Sequence, residues 1–398
     1  MYSTISVLFL RSLIIDRHIE IVEIDYLLRR PAAAIERELT IQKRVVSLFA
    51  MKKKLERLPT DFRFILKWSQ SFSHYNNLIY KNGQQPFLDN NCTFRNCYLT
   101  NDKGLITDVT FFDAILFDVE NRWDPHPIER SQYQRFVFVG AESAANFPIC
   151  AKIYNDYYNL TWTYKLDSDI SNAYLNILDK NGTIVGPKVD MTWIKPMAAT
   201  PDEVTVKIAK KTKAAAWFVS NCNAKNDRRV IANHIREALM AYGLDIDIYG
   251  WCGKMVCPKN QFSECLQLLQ EDYYFYLSFE NSDAEDYVTE KLLHAVMNYA
   301  VPIVYGGANY SRFLPPGSYI NAKEQDAISI AFAINEAMKN PKVYEKYFRW
   351  HNYYSYAKAG EKAEVCKLCE VLNSPPTFTA KKDFKDWWNT KGTCKTTI

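Results

Sequence analysis

The sequence predicts an α/β fold whose later half is built on a parallel sheet, and three observations carry that reading. Beyond about residue 212, apolar runs of strand length alternate with longer segments of helical period. The alternation occurs twice in succession, and each intervening helix carries one apolar stripe with which to cover a sheet. The first repeat is a strand over 214–220, a helix over 227–242 and a strand over 244–249; Ile231, Ile235, Ala238, Leu239 and Tyr242 share one face of the helix. The second is a strand over 273–279, a helix over 285–299 and a strand over 301–305, with Val288, Leu292, Ala295, Val296 and Tyr299 as the stripe. Two β-α-β units in a row require right-handed crossovers and parallel pairing, and such sheets take ligands beyond the carboxyl ends of their strands. Those ends are Ser220-Asn221, Tyr249-Gly250, Phe279-Glu280-Asn281 and Tyr305-Gly306-Gly307.

Ahead of this region, strands are expected over 63–68, 111–118 and 135–140, the buried strands of an earlier α/β domain. The stretch 187–212, with two prolines and several lysines, reads as the boundary. The expected division is therefore a domain over 59–195, a second over 196–360 and a cysteine-containing tail over 361–398. Residues 1–58 read as a stem, with a basic amphipathic stretch over 42–57. The apolar run at 5–15 is interrupted by Arg11 and is too short to span a bilayer, so a membrane anchor is expected to be missing from, or defective in, this stretch.

Composition bounds the function. In 398 residues, 48% are hydrophobic and 14% aromatic, enough to build two cores. A net charge of +4 from 49 basic and 45 acidic residues is too small and too dispersed for a nucleic-acid partner. Ten cysteines accompany the sequons at Asn91, Asn159 and Asn181, with a fourth formal match at Asn309. Together they point to a lumenal, disulfide-bonded protein. A zinc site fits poorly, because none of the six histidines has ligand spacing to Cys366 and Cys369.

Chemistry is expected at the strand ends. On the helix over 285–299, Tyr287, Lys291 and His294 fall on one face near the start, where free N–H groups and the helix dipole favour an anion such as a diphosphate. Arg228 and Arg229 open the earlier helix against its dipole, which also hints at an anionic partner. Glu142 follows the strand over 135–140, where a carboxylate could take the proton of an attacking hydroxyl. Asp167-Ser-Asp169 has the form of a metal-binding pair, though a structural role is the better reading of so short a pattern. The run 273–276 reads as sheet core. Spacing alone favours plain solvated residues at Glu290, Lys291, Arg228, Arg229 and Glu142. No G-x-G-x-x-G follows a strand, which sets a dehydrogenase aside.

Longer motifs go further. Phe279-Glu-Asn-Ser282 with Tyr287-Val-Thr-Glu-Lys291, then 301–306, Arg312-Phe-Leu-Pro-Pro316 and Tyr347-Phe-Arg-Trp350, resemble the signature of the α1,3/4-fucosyltransferase family; 216–222, 247–253 and 159–170 agree. The resemblance spans roughly residues 60–370. It implies a GT-B architecture, two Rossmann-like domains with parallel sheets facing across a cleft, and inversion at the anomeric carbon of fucose. By the same resemblance, Ser220, Asn221, Arg229, Tyr249, Asn281, Tyr287, Glu290 and Lys291 bind GDP-fucose, and Arg228 adjoins the phosphate position. Glu142 is the general base; Ala144 stands where the family has proline. Tyr164 and Lys165 match a Tyr-Arg pair beside the acceptor, with lysine in place of arginine. Lys291 and Arg229 would neutralise the departing GDP, so no obligatory cofactor is implied, with manganese at most a stimulator. Cys366 and Cys369 resemble a carboxyl-terminal pair that bridges back, with Cys92 and Cys97 as candidate partners.

The tail from Asp386-Trp-Trp388 to Cys394 resembles invertebrate members, favouring N-glycan glycoproteins, core GlcNAc included, as acceptors. Antennal LacNAc or LacdiNAc is the rival acceptor. A catalytically silent glycan-binding protein is the rival of another class, and Glu142 and Lys291 argue against it. The resemblance further implies the Golgi lumen, with a Golgi membrane as partner if an anchor is present.

Overall fold

Strands buried on both faces read as unbroken apolar runs, and the first ones in this chain do. The computed structural model describes residues 61–68, 81–121, 129–131, 133–374, 380–391 and 393–394, so the stem expected over 1–58 lies outside the described residues. One unit comprises the described residues up to Phe138 with those of Glu361–Thr379, and the other comprises Val139–Gly360 with the described residues from Ala380 onward.

In the first unit, β1 (Arg63–Lys67), β2 (Cys97–Thr100) and β3 (Ala114–Asp118) lie parallel in the order β2-β1-β3. Every residue of β1 and β3 is buried, which is why these strands show no polar alternation. The strand Arg135–Gly140, β4, begins here, its first N–H bonded to the carbonyl of Asp113. A helix over Glu361–Asn373 is stapled to this unit by the bridges Cys92–Cys366 and Cys97–Cys369. Arg63 and Arg135 donate to the carbonyls of Leu372 and Val371, so two guanidinium groups meet the negative end of its dipole.

In the second unit come β5 (Leu160–Thr163) and β6 (Ile170–Ser171), a parallel pair. Then β7 (Leu175–Asp179) and β8 (Ile184–Gly186) form a three-stranded antiparallel sheet with a strand over Tyr354–Lys358. The main sheet contains β9 (Lys213–Phe218), β10 (Ile246–Tyr249), β11 (Tyr273–Phe279), β12 (Val301–Tyr305) and β13 (Ile320–Asn321). Its order is β10-β9-β11-β12-β13, parallel throughout. Side chains alternate across it: Ala215, Trp217, Phe275, Leu277 and Phe279 enter one core with helices α1 (Arg228–Met240) and α4 (Ala327–Lys339). Ala216 and Tyr276 face the other way, toward α2 (Phe262–Asp272) and α3 (Glu290–Met297), and Tyr273, the first residue of β11, joins them there in spite of the alternation.

Two helices differ from expectation. In α1 the expected Ile231, Ile235, Ala238 and Leu239 pack against the core, with Arg228 and Ala232 buried beside them, whereas Tyr242 lies past the helix end and is exposed. The Arg228 guanidinium reaches the Phe279 carbonyl at the end of β11. The helix expected from 285 begins at Glu290, because Asp286 takes a left-handed φ of 58° and Thr289 is an extended N-cap. Tyr287 is therefore a loop residue, buried above the sheet rather than on a helix face.

All ten cysteines are bonded, the remaining bridges being Cys150–Cys394, Cys222–Cys252 and Cys257–Cys265. Among the described residues no helix is long and apolar enough to cross a membrane.

His351, stacked on Trp350 at 3.7 Å, is pushed by burial from its ordinary 6.5 down to about 4, with Lys180 and Lys207 adding to the fall. Burial moves His294 in the same direction. Between these values the unfolded chain binds protons that the folded one refuses, so stability falls as pH drops from 6.5 to 4. A His351→Phe variant should lose about one proton of that slope, up to about 3 kcal/mol over the window, read from thermal midpoints at a series of pH values.

Candidate active site

The carboxyl end of β11 carries a buried charge. Glu280 is 1% exposed, and its carboxylate accepts from the Thr289 N–H at 2.7 Å and the Thr289 hydroxyl at 2.8 Å. Lys291 Nζ lies 3.1 Å from the same carboxylate and donates to Thr289 Oγ1 at 2.7 Å and Glu290 Oε1 at 3.0 Å. Burial raises the Glu280 carboxyl above its ordinary range despite the pull of Lys291. Burial also works against the charge on Lys291, but Glu280 and Glu290 outweigh it and hold the ammonium above the ordinary lysine value. The amino-terminal turn of α3 thus presents a fixed cation with a half-exposed carboxylate, Glu290, beside it. That combination suits a phosphate oxygen next to sugar hydroxyls.

The β9 and β10 ends are held beside it. Gly250 adopts φ +97°, and a Cβ there would come within 2.6 Å of the Val219 carbonyl, so only glycine permits the close approach. The Cys222–Cys252 bridge staples the same two loops. Arg228 donates to the carbonyls of Phe279 and Asn221, both at 2.8 Å, tying the β11 end to the β9 loop. The cation at this helix start is therefore answered by backbone carbonyls. It is Arg228 that is buried, while Arg229, the residue expected at the phosphate, is exposed.

Glu142 sits in the loop after β4, half-buried. Its Oε1 accepts from the Tyr287 hydroxyl at 2.9 Å, and its Oε2 from Asn146 Nδ2 at 3.1 Å and the Ser143 N–H at 3.3 Å. Burial drives the Tyr287 phenol well above its ordinary value, so it stays a donor. Its ring meets that of Tyr164 edge-on at 5.0 Å, and the Tyr164 hydroxyl accepts from the Ala144 N–H. A carboxylate held by three donors keeps lone pairs for one more hydroxyl, which is what a general base requires. Tyr287 lies just upstream of α3, and its bond to Glu142 joins the loop of the carboxylate to the segment that leads into Lys291.

The other expected residues fall variously. Ser220 and Asn221 are exposed at the β9 end, and Asn281 is half-buried beside Ser282. Tyr249 has its ring in the core, and its hydroxyl pairs with that of Tyr273 at 2.7 Å. Lys165 is 4% exposed, with Nζ bonded to Glu285 at 3.1 Å and the Trp387 carbonyl at 2.7 Å. Asp169 accepts twice from Thr161 and Asp167 from the Trp387 indole, so this pair is structural. Among the described residues no group of three or more His, Cys, Asp or Glu is placed to hold a metal. Asn91 and Asn181 are exposed; Asn309, whose side chain caps the turn at Ser311, is exposed too, and Thr161 of the Asn159 sequon is buried.

The sequence suggested no specific role for Glu280, though it stands at an expected strand end, and none for Asn146. The signal for Glu280 was a carboxylate ending an otherwise apolar strand; for Asn146 there was none beyond its distance of four residues from Glu142.

The carboxyl-terminal model of glycosyltransferase family 10 (fucosyltransferase) matches residues 208–387, and a fucosyltransferase amino-terminal model matches 60–175. Alpha-(1,3)-fucosyltransferase C of Drosophila melanogaster is 34% identical over 346 residues, 84% of this chain and 79% of that relative. Glycoprotein 3-alpha-L-fucosyltransferase A of the same organism is 29% identical over 323 residues, 79% of this chain and 59% of the relative. A crystal structure of an alpha1,3-fucosyltransferase with GDP-fucose overlaps 81% of this chain and 94% of its own, with a TM-score of 0.47 and 16% identity. The chain belongs to glycosyltransferase family 10, the fucosyltransferases.

Proposed function

We propose that this α1,3-fucosyltransferase transfers L-fucose from GDP-β-L-fucose, with inversion, to the 3-hydroxyl of a GlcNAc residue in N-glycans. The carrying observation is the 2.9 Å hydrogen bond from Tyr287 to Glu142, which sets a carboxylate base against the segment that leads into the Lys291 helix start. Glu142 takes the proton of the acceptor hydroxyl as that oxygen attacks C1 of fucose. The bond from C1 to the β-phosphate oxygen breaks, and Lys291 receives the negative charge that GDP carries away. Glu290, half-exposed beside it, accepts from sugar hydroxyls of the donor. An N-glycan acceptor is supported by the similarity to a relative named for glycoprotein substrates. Five disulfides and the exposed sequons at Asn91 and Asn181 support a lumenal site of action, taken here as the Golgi.

The test is incubation of purified protein with GDP-fucose and a panel of core, antennal and free-sugar acceptors, with and without a chelator. Transfer to core GlcNAc that persists in chelator is the expected result. Transfer confined to LacNAc or LacdiNAc antennae would move the acceptor assignment, and transfer to nothing would overturn the reading.

A further inference from the structure

The loop that carries Glu142 is held from beyond its far end by a segment that lies more than two hundred residues later in the chain. Trp388, 1% exposed, donates its indole N–H to the Phe147 carbonyl at 2.9 Å. Asn389 makes a reciprocal pair with Ile149, its Nδ2 donating to the carbonyl at 2.7 Å and its Oδ1 accepting from the N–H at 3.0 Å. Cys150 is bonded to Cys394. Three consecutive fastenings thus end the arm that begins at Glu142. The same tail makes two further contacts: the Trp387 carbonyl accepts from Lys165, and the Thr390 hydroxyl donates to the carbonyl of Asp283 at 3.2 Å.

The rings complete the link. Trp388 lies 5.7 Å from Tyr164, Tyr164 lies 5.0 Å from Tyr287, and the Tyr287 hydroxyl holds Glu142. Tyr164 is 1% exposed, so its ring cannot shift without one neighbour yielding. Trp388 therefore bears on the base by two routes, through the backbone at Phe147 and through the aromatic series to the donor on its carboxylate.

We propose that Trp388 and Asn389 are positioning residues for the transfer reaction, acting on Glu142 through its loop and through Tyr164 and Tyr287. This rests on the reading of Glu142 as the base. A base displaced by about 1 Å loses reactivity without loss of donor affinity, since the donor is held at the α3 start. The tail fixes geometry, so its signature is in turnover.

The experiment compares Trp388→Leu, Trp388→Phe and Asn389→Ala in the full chain, measuring kcat, KM for GDP-fucose and GDP affinity by calorimetry. Trp388→Leu is expected to lower kcat about 10- to 100-fold with GDP affinity within about twofold of wild type. Trp388→Phe, which restores a ring against Tyr164 but no indole N–H, should recover part of the loss. Asn389→Ala, which leaves little space to fill, should lower kcat about 5- to 10-fold and decides the matter if Trp388→Leu does not fold. Unchanged kcat in the folded variants, or GDP affinity falling in step with kcat, would overturn the positioning role. Wild-type protein that transfers nothing in the same assay would instead count against the transferase reading itself.

Discussion

Replacing Glu142 by glutamine should reduce kcat by about 10²- to 10⁴-fold while GDP and GDP-fucose bind as in the wild type. The variant keeps the shape of the site. Glutamine can turn its oxygen toward Asn146 and the Ser143 N–H, and its amide toward Tyr287, whose hydroxyl accepts as readily as it donates. Every local hydrogen bond then survives, and what is lost is the ability to take a proton. Glutamine is thus a cleaner probe than alanine, which would leave three donors facing a void. The check is steady-state kinetics beside calorimetric GDP binding. Turnover within a few-fold of wild type would remove Glu142 from the role of base, and a parallel loss of GDP affinity would make it a donor ligand.

How far the sequence disclosed this site follows from where its information is local. Strands β11 and β12 were legible to the residue, because each is an apolar run closed by a residue that ends it, the carboxylate of Glu280 or Gly306. The start of α3 was not, since Val288 and Leu292 keep the helical period while a left-handed Asp286 and the bond from the Thr289 N–H to Glu280 stop the helix short. Propensity says nothing of a carboxylate nine residues upstream that captures the cap. Lys165 was placed by resemblance alone and Tyr249 also by its strand end, and tertiary contacts turn both side chains inward. The antiparallel sheet pairs Asp179 with Tyr354, a register that no local pattern encodes. The tail was equally opaque: nothing local in Trp388 and Asn389 points to Phe147 and Ile149, to which the fold brings them.

The Lys291 position carries the other large effect, because one ammonium holds the buried Glu280 and, on the proposed reading, also the donor. Replacing Lys291 by methionine should remove the cation proposed to face the diphosphate, for which a charge-assisted bond is worth about 1.5–3 kcal/mol, or roughly 10- to 100-fold in donor affinity. It also leaves Glu280, 1% exposed, without its counter-charge, and an orphaned buried partner destabilises by about 3–5 kcal/mol. Glu280 has a way out, since burial already raises its carboxyl above the ordinary range and losing Lys291 raises it further. A raised carboxyl contributes stability below its unfolded value that disappears as pH climbs through the folded one. The variant should therefore lose more of its thermal midpoint at pH 8 than at pH 5, relative to wild type. Adding Glu280→Gln removes the orphaned charge while its amide oxygen still accepts from Thr289, so the double variant should regain most of the stability at pH 8 and none of the donor affinity. Thermal melts at the two pH values and GDP titrations of both variants separate the two duties. A Lys291→Met protein that binds GDP normally would show that the α3 start is not where the diphosphate sits.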